Sequence, residues 1–271
     1  MITIKEIIST THLDSDGDKF TKEMLMNFVE QINTEYVIAQ IEHDPRNPPI
    51  GRLKTAKLVQ LDDVEYAVQT ETEIFEKDDF ASEIDHSRSI KIKEHLLNEI
   101  DLSYDKSFNE NEVNIVEEIG IILNNQPSQA IKKSIDPIAV LEIACGLMLG
   151  SFVKGFFSKI GSDAYEKLKI KVGKLFKKDR SKKEKLLQFD FTVYGIDPQI
   201  NVRVILNNPT INEFESFLTN GLNILEDILP RFNNDQYSIK EIVFLYEGNK
   251  LNLLFGIRSD AVPMYVKKAD A

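Results

Sequence analysis

The sequence predicts an α+β protein, because stretches with helical and strand periodicity follow one another along the chain without an internal repeat. A chain of 271 residues, 42% hydrophobic and 28% charged, is long enough for a substantial core and more than one domain. The net charge of −11 argues against non-specific nucleic-acid binding. A single cysteine excludes a disulfide framework and a multi-cysteine zinc site. No secretory signal is visible, so we expect a cytoplasmic protein.

Residues 1–130 are predicted to form a strand-rich domain with flanking helices. Thr21 is a candidate N-cap for a helix whose apolar residues recur at i, i+3, i+4 and i+7. A short strand ends at His43, before a proline-rich turn that cannot continue a ladder. The two alternating runs that follow, on either side of the DDVE turn, predict a hairpin. The Asp-rich run DSDGD predicts a surface turn, because it lacks the later ligands of a calcium-binding loop.

The second half of this domain contains three further predicted elements. Residues 90–100 fit a short helix, with His95 on its charged and solvated side. Ser103 then begins a strand. The β-rich run 113–123 predicts another strand, which carries Glu118 and is stopped by NNQPSQ.

Residues 131–185 are predicted to form an apolar helix followed by a basic amphipathic helix. The run 138–157 has only Glu142 and Lys154 as charged residues, and places Gly146 and Gly150 in the GxxxG spacing of close helix pairs. Its length suits a membrane span, whereas Glu142 at a helix centre favours a buried helix, and both alternatives stay open. A basic belt follows, with 12 basic and 4 acidic residues from Lys154 to Lys185, and it would favour membrane contact through 138–178 at an anionic cytoplasmic face.

Residues 186–271 are predicted to form a small ββαββ domain. Two alternating runs, an amphipathic helical stripe and a hairpin around Gly248 follow in that order. The region contains no phosphate loop, metal cluster or nucleophile–base pair. We therefore interpret it as a module for self-association or for binding a partner protein.

The candidates for chemistry are a serine and a histidine in the N-terminal domain. Nucleophilic serine catalysis needs a base within hydrogen-bond reach and usually a third group that orients the base. Among the four histidines, His12 lies in a turn, His86 in a polar loop and His95 in a charged helix. Only His43 ends an apolar strand beside a rigid turn, although taken singly it favours a structural or solvated role over a catalytic one.

The order of short motifs in this domain resembles that of the caudovirus (HK97-type) prohead serine proteases, relatives of the herpesvirus assembly proteases. The motifs are, in order, DSDGD (Asp14–Asp18), HDPRNPPIGR (His43–Arg52), LSYD (Leu102–Asp105) and EIGIILNNQPSQA (Glu118–Ala130). The resemblance implies a β-barrel-like domain in which Ser103 is the nucleophile and His43 the general base. Glu118 would orient His43, and the second histidine of the herpesvirus relatives makes His86 or His95 the competitors for that role.

The resemblance implies a serine endopeptidase that acts on a protein substrate, with self-processing among its expected activities, and that needs no cofactor or metal. Residues 131–271 lie outside the resemblance, which suggests a phage-related protein recruited to another task, such as antiviral defence. Tyr104 and Asp105 stand where the family usually has isoleucine and glycine. The alternative is therefore a non-catalytic scaffold, membrane-associated or assembly-related, that uses a peptidase-like fold.

Overall fold

The computed structural model confirms the α+β class and contains a four-stranded and an eight-stranded sheet. It describes the whole chain except residues 14–18, 42–43, 77–81, 98, 131–137, 178–183, 198, 233–237 and 265–271. The described chain divides into two compact units. The first contains Met1–Lys91 and the segment that starts at Gly256, and the second contains Ile92–Lys132 and Asp136–Phe255.

The first unit is an antiparallel sheet with one helix packed on it. Its strands are β1 (Ile2–Thr10), β2 (Val37–Ala39), β3 (Gly51–Gln60) and β4 (Tyr66–Ile74), and their order is β1-β4-β3-β2. Helix α1 (Lys22–Thr34) begins as predicted, because the Thr21 side chain accepts a hydrogen bond from the Met24 N–H. Leu25 and Ile32 of α1 are buried in one cluster with Leu53 and Val68. The predicted β3–β4 hairpin is confirmed.

The second unit is organised around a mixed sheet. Its strands are β5 (Ile100–Asp105), β6 (Ser128–Ala130), β7 (Ile138–Met148), β8 (Glu184–Tyr194), β9 (Ile200–Asn207) and β10 (Ile239–Glu247). The following strand β11 (Lys250–Arg258) runs from this unit into the first, where its end pairs with β12 (Pro263–Met264). The strand order is β12-β11-β10-β9-β8-β7-β5-β6.

Helical crossovers join the three parallel strand pairs β5/β6, β7/β8 and β9/β10. They consist of α2 (Glu110–Leu123), then α3 (Phe152–Ile160) with α4 (Ser162–Leu175), then α5 (Ile211–Ser216), a π-helical turn (Phe217–Gly221) and α6 (Leu222–Ile228), which a 3-10 turn (Leu229–Phe232) extends. The helices contact one another: α4 touches α2, α3 and α5, and α3 touches α6. They therefore form one layer, which packs on the sheet through phenylalanines from both the helical segments and β8: Phe152, Phe156, Phe189, Phe191, Phe214 and Phe217 are fully buried.

The strand predicted over 113–123 is wrong, because these residues belong to α2. Asn109 and Glu112 form a reciprocal capping box that starts the helix. Val116, Ile119 and Leu123 then recur at helical spacing and are buried. The β-branched residues that favoured a strand are compatible with a helix because tertiary burial outweighs their small propensity penalty.

The helix predicted over the apolar run 138–157 is also wrong. Strand β7 occupies its first half, and α3 begins only after Gly150 has adopted a left-handed conformation with φ 84°. A strand between two neighbours can be apolar on most positions of both faces, so its sequence cannot be distinguished by periodicity from a buried helix. Within the described ranges, no helix has the length and apolar character needed to cross a membrane.

The helix predicted over 90–100 is wrong, because none of the described residues of this segment is helical. Several of its backbone groups bond to distant residues: the His95 N–H donates to Thr192 Oγ1, and the Leu96 carbonyl accepts from the Gly146 N–H as well as from the Glu99 N–H in a local turn. Gly146 is required here, since an added Cβ would lie 2.4 Å from the His95 carbonyl oxygen. His95 is consequently buried rather than solvated, with 2% of its surface exposed.

Candidate polar site on the second sheet

One face of the second-unit sheet is lined by polar side chains. Cross-strand partners project to the same face, and the register aligns Ser103 of β5 with Glu142 of β7, and Glu142 with Gln188 of β8. Successive positions of the same parity extend this surface. We call it the polar face, and its members are Asp101, Ser103, Glu142, Gln188, Asp190, Thr192, Asn201, Arg203 and Glu241.

At the centre of the polar face, the Gln188 amide bridges the carboxyls of Glu142 and Asp190. Gln188 Nε2 donates to Glu142 Oε2 at 3.0 Å and to Asp190 Oδ2, also at 3.0 Å. Burial, assisted by the negative charge of Asp190, raises the pKa of Glu142 to about 7. A carboxyl with such a pKa is partly ionised at neutral pH and can both accept and donate a proton there.

Arg203 supplies the positive charge on this face. Its guanidinium donates to Asp190 Oδ1 at 2.9 Å and lies 3.0 Å from Glu241 Oε1. Burial by itself would lower the pKa of Arg203, but Asp190 and Glu241 outweigh that effect and raise it. Burial likewise raises the pKa of Glu241, against the opposing attraction of Arg203. At Glu142, burial and the charge of Asp190 outweigh the attraction of Arg203, so this carboxyl retains its proton to higher pH than a carboxyl in water.

His95 and Asp101 form a second ionisable pair beside Ser103. His95 Nδ1 lies 2.9 Å from Asp101 Oδ2, and Asp101 precedes Ser103 by two positions on the same face of β5. The backbone of His95 is fixed at both ends, because its carbonyl also accepts from the Tyr194 hydroxyl at 3.0 Å. The pair is therefore positioned by the sheet rather than by a flexible loop.

The sequence-predicted site residues lie in different settings. Ser103 is on the polar face, as described, whereas His43 lies outside the described residues. Glu118 projects from the exposed side of α2, where its carboxylate pairs with Lys171 of α4. Of the competitors for the third role, His86 is exposed in the first unit and His95 is buried in the second. Among the described candidates, His95 is linked to the strand of Ser103 by its contact with Asp101.

Tyr104 and Asp105, the two residues after Ser103, have structural partners. Tyr104 packs edge-on against Phe108, with ring centroids 6.5 Å apart, and lines an open groove of 570 Å³ beside α2. Asp105 is buried, and its Oδ1 accepts from the Ser107 N–H in the turn that precedes α2. The contacts of Tyr104 and Asp105 thus hold the backbone that leads from Ser103 to α2.

Sequence reasoning missed Glu142, Gln188, Asp190, Arg203 and Glu241 as one group. Each is a polar residue in a strand that is otherwise mostly apolar, and Glu142 was noticed only as an obstacle to membrane insertion. A polar residue inside a mostly apolar strand is a signal that can be read from sequence. The strand register, which aligns these residues on one face, cannot be read from sequence.

The comparisons with known proteins provide no family for this chain. No family model, no curated protein and no solved structure matches it. Among the residues that the structure describes, no group of histidine, cysteine, aspartate and glutamate side chains is arranged to hold a metal ion.

Proposed function

We propose that the protein is a serine hydrolase that cleaves a protein substrate, with Ser103 as the nucleophile and Glu142 as the group that accepts its proton. The observation that carries the proposal is the cross-strand pairing of Ser103 with a carboxyl whose pKa is about 7. Directly paired residues in an antiparallel ladder have Cβ atoms about 4.5–5.5 Å apart, so a glutamate can reach the serine hydroxyl.

Gln188 supports this assignment as the positioning residue. Activated nucleophiles commonly use a base that is oriented by a third group. The Gln188 amide, held between Glu142 and Asp190, restricts the carboxyl of Glu142 in this way. In the proposed reaction the Ser103 hydroxyl oxygen attacks the scissile carbonyl, and Glu142 takes the hydroxyl proton and later passes it to the leaving amine. Water then hydrolyses the ester on Ser103.

Glu142 replaces Glu118 in this proposal, since Glu118 pairs with Lys171. The role of His43 as a base stays a prediction, as do the prohead-protease-type fold, the separate ββαββ module and a phage-related or host-defence role. Contact with the inner face of a membrane through 138–178 is also a prediction.

The test is self-processing of the full chain, followed by mass spectrometry. We expect fragments from the wild type and none from Ser103→Ala. Ser128→Ala is the matched control, because Ser128 is the cross-strand partner of Ser103 on β6 and lies outside the proposed machinery. Identical fragments from Ser103→Ala and the wild type would overturn the proposal.

The second candidate function is a non-catalytic protein-binding module. The observation that favours it is that the Ser103 hydroxyl has no hydrogen-bond partner within the described part of the chain. This candidate predicts no cleavage by any of the three proteins and no reaction of Ser103 with a fluorophosphonate.

A further inference from the structure

Asp101 of β5 is an acidic neighbour of Glu142 on the polar face. The register pairs Asp101 with Ala144 and Ser103 with Glu142, so Asp101 and Glu142 are diagonal neighbours across the ladder of β5 and β7. Diagonal neighbours on one face of an antiparallel pair have Cβ atoms about 7–8 Å apart. The charge of Asp101 can therefore act on Glu142 without a direct contact between them.

A second acid, Asp190, stands in the corresponding position on the other side of Glu142. Asp101 of β5 and Asp190 of β8 are aligned with the same residue of β7, two positions after Glu142. Each aspartate has its own partner: Arg203 Nε donates to Asp190 Oδ1 at 2.9 Å, and His95 Nδ1 lies 2.9 Å from Asp101 Oδ2. Glu142 is thus flanked by two carboxylates, each of which a basic side chain holds in place.

His95 fixes the Asp101 carboxylate on the polar face. The side chain of Asp101 is 45% exposed, whereas that of His95 is almost fully buried. The backbone of His95 is itself fixed, because its N–H donates to Thr192 Oγ1 and its carbonyl accepts from the Tyr194 hydroxyl. The contact with His95 therefore keeps the charge of Asp101 over the sheet.

The charged groups that face Glu142 come from β5, β8, β9 and the segment before β5. Burial is the main cause of the raised pKa of Glu142, and the negative charges of Asp190 and Asp101 add to it. The positive charges of Arg203 and Lys93 oppose the rise in this pKa. Of the two acids, Asp101 is the one that lies on the strand of the proposed nucleophile.

We propose that Asp101, held by His95, is a positioning residue of this site, and that its negative charge sets the pH at which Glu142 can accept the Ser103 proton. The action on Glu142 is independent of catalysis, whereas its consequence for the reaction rests on the proposed function. Asp101→Asn isolates the charge, because an amide oxygen can still accept a hydrogen bond from His95.

The first test follows the titration of the Glu142 carboxyl carbon by carbon-13 NMR of the full chain, with Glu142→Gln to identify its signal. We expect a midpoint at about pH 7 in the wild type and about 0.5 pH units lower in Asp101→Asn, because a repelling charge is removed. Asp101→Glu, which keeps the charge, should titrate closer to the wild type. Asp163→Asn, in the exposed first turn of α4, is the matched control and should leave the midpoint unchanged. An equal or higher midpoint in Asp101→Asn overturns the proposal.

The second test measures the rate at which a fluorophosphonate labels Ser103 at pH 6. A larger fraction of Glu142 is ionised there in Asp101→Asn, so this variant should react about two- to threefold faster than the wild type. A residue that only stabilised the fold would not accelerate the reaction when replaced. Labelling of the wild type with an equal or slower rate in Asp101→Asn overturns the role of Asp101 in the reaction. Absence of labelling in every protein contradicts the proposed function instead, and the NMR titration then decides the action of Asp101 on Glu142.

Discussion

A carboxyl that shares a sheet surface with other acids holds its proton to higher pH than a carboxyl in water, and Glu142 is in that position. Its pKa is raised from 4.5 to about 7 by burial and by Asp190. Since each pKa unit corresponds to about 1.4 kcal/mol, ionising Glu142 in the folded protein costs about 3 kcal/mol more than in the unfolded chain. Such a cost suits a group that must titrate near neutral pH, and a purely structural site would be more stable without it.

The first prediction follows from the sign of this shift. The folded state holds the Glu142 proton between pH 4.5 and pH 7 and the unfolded state does not, so this group's contribution to stability falls as pH rises through that window. Glu142→Gln removes the titration and keeps the hydrogen-bond acceptor. As the pH is raised from 4.5 to 8, we expect the unfolding free energy of the variant to rise by about 3 kcal/mol relative to that of the wild type, measured by urea unfolding. A stability difference independent of pH would contradict the assigned pKa.

At the scale of single elements, the apolar runs were the hardest to assign. The periodicity of α1 and the alternation of β3 and β4 were informative, because each of these elements has one buried face. Strand β7 is buried on both faces, so its pattern resembles a buried helix. The isoleucines and valines of α2 favour a strand locally, whereas the capping box of Asn109 and Glu112 marks the start of a helix.

Two glycines give a matched test of helix packing. Gly120 of α2 lies against the loop that leads to β6, and a Cβ there would be 2.6 Å from the Pro127 ring and 2.7 Å from the Asn125 carbonyl oxygen. Gly155 of α3 has room, since its nearest contact would be Leu147 at 3.6 Å. We expect Gly155→Ala to stabilise the protein by about 0.5–1 kcal/mol, and Gly120→Ala to destabilise it by about 1–3 kcal/mol, in denaturant unfolding. Stabilisation by both substitutions would contradict the packing of α2.

At the scale of the whole molecule, the first unit is assembled from both ends of the sequence. Arg52 of β3 donates from Nε to Glu73 Oε2 at 2.8 Å and from Nη1 to the Asp260 carbonyl oxygen at 2.8 Å. Asp260 in turn accepts from Arg258 Nε at 2.9 Å and from the Asp85 N–H at 3.1 Å. The charged groups are nearly fully buried, so each needs its partner.

Removing one member of this network should therefore be costly. Asp260→Ala leaves the buried Arg258 guanidinium without its carboxylate, and we expect a loss of about 3–5 kcal/mol in unfolding free energy. Asp63→Ala, in the exposed turn between β3 and β4, should change the unfolding free energy by less than about 0.5 kcal/mol. Equal effects of the two substitutions would show that the network does not stabilise the unit.

The sequence was sufficient for the fold class, α1, the β3–β4 hairpin and a strand at Ser103. It could not reveal that residues after Gly256 complete the N-terminal unit, because that depends on contacts between residues about as far apart as the chain allows. The same limit applies to the polar face. Glu142, Asp190 and Arg203 come from three strands, and only the sheet register places them on one face with Ser103.

The most direct test of the proposed serine–glutamate pair is the pH dependence of the reaction of a fluorophosphonate with Ser103, followed by mass spectrometry. Only ionised Glu142 can accept the serine proton, so the rate in the wild type should rise with pH and reach half its maximum at about pH 7. In Glu142→Gln the rate should be low and should lack this step. The same pH profile in both proteins, or label on another serine, would contradict the account.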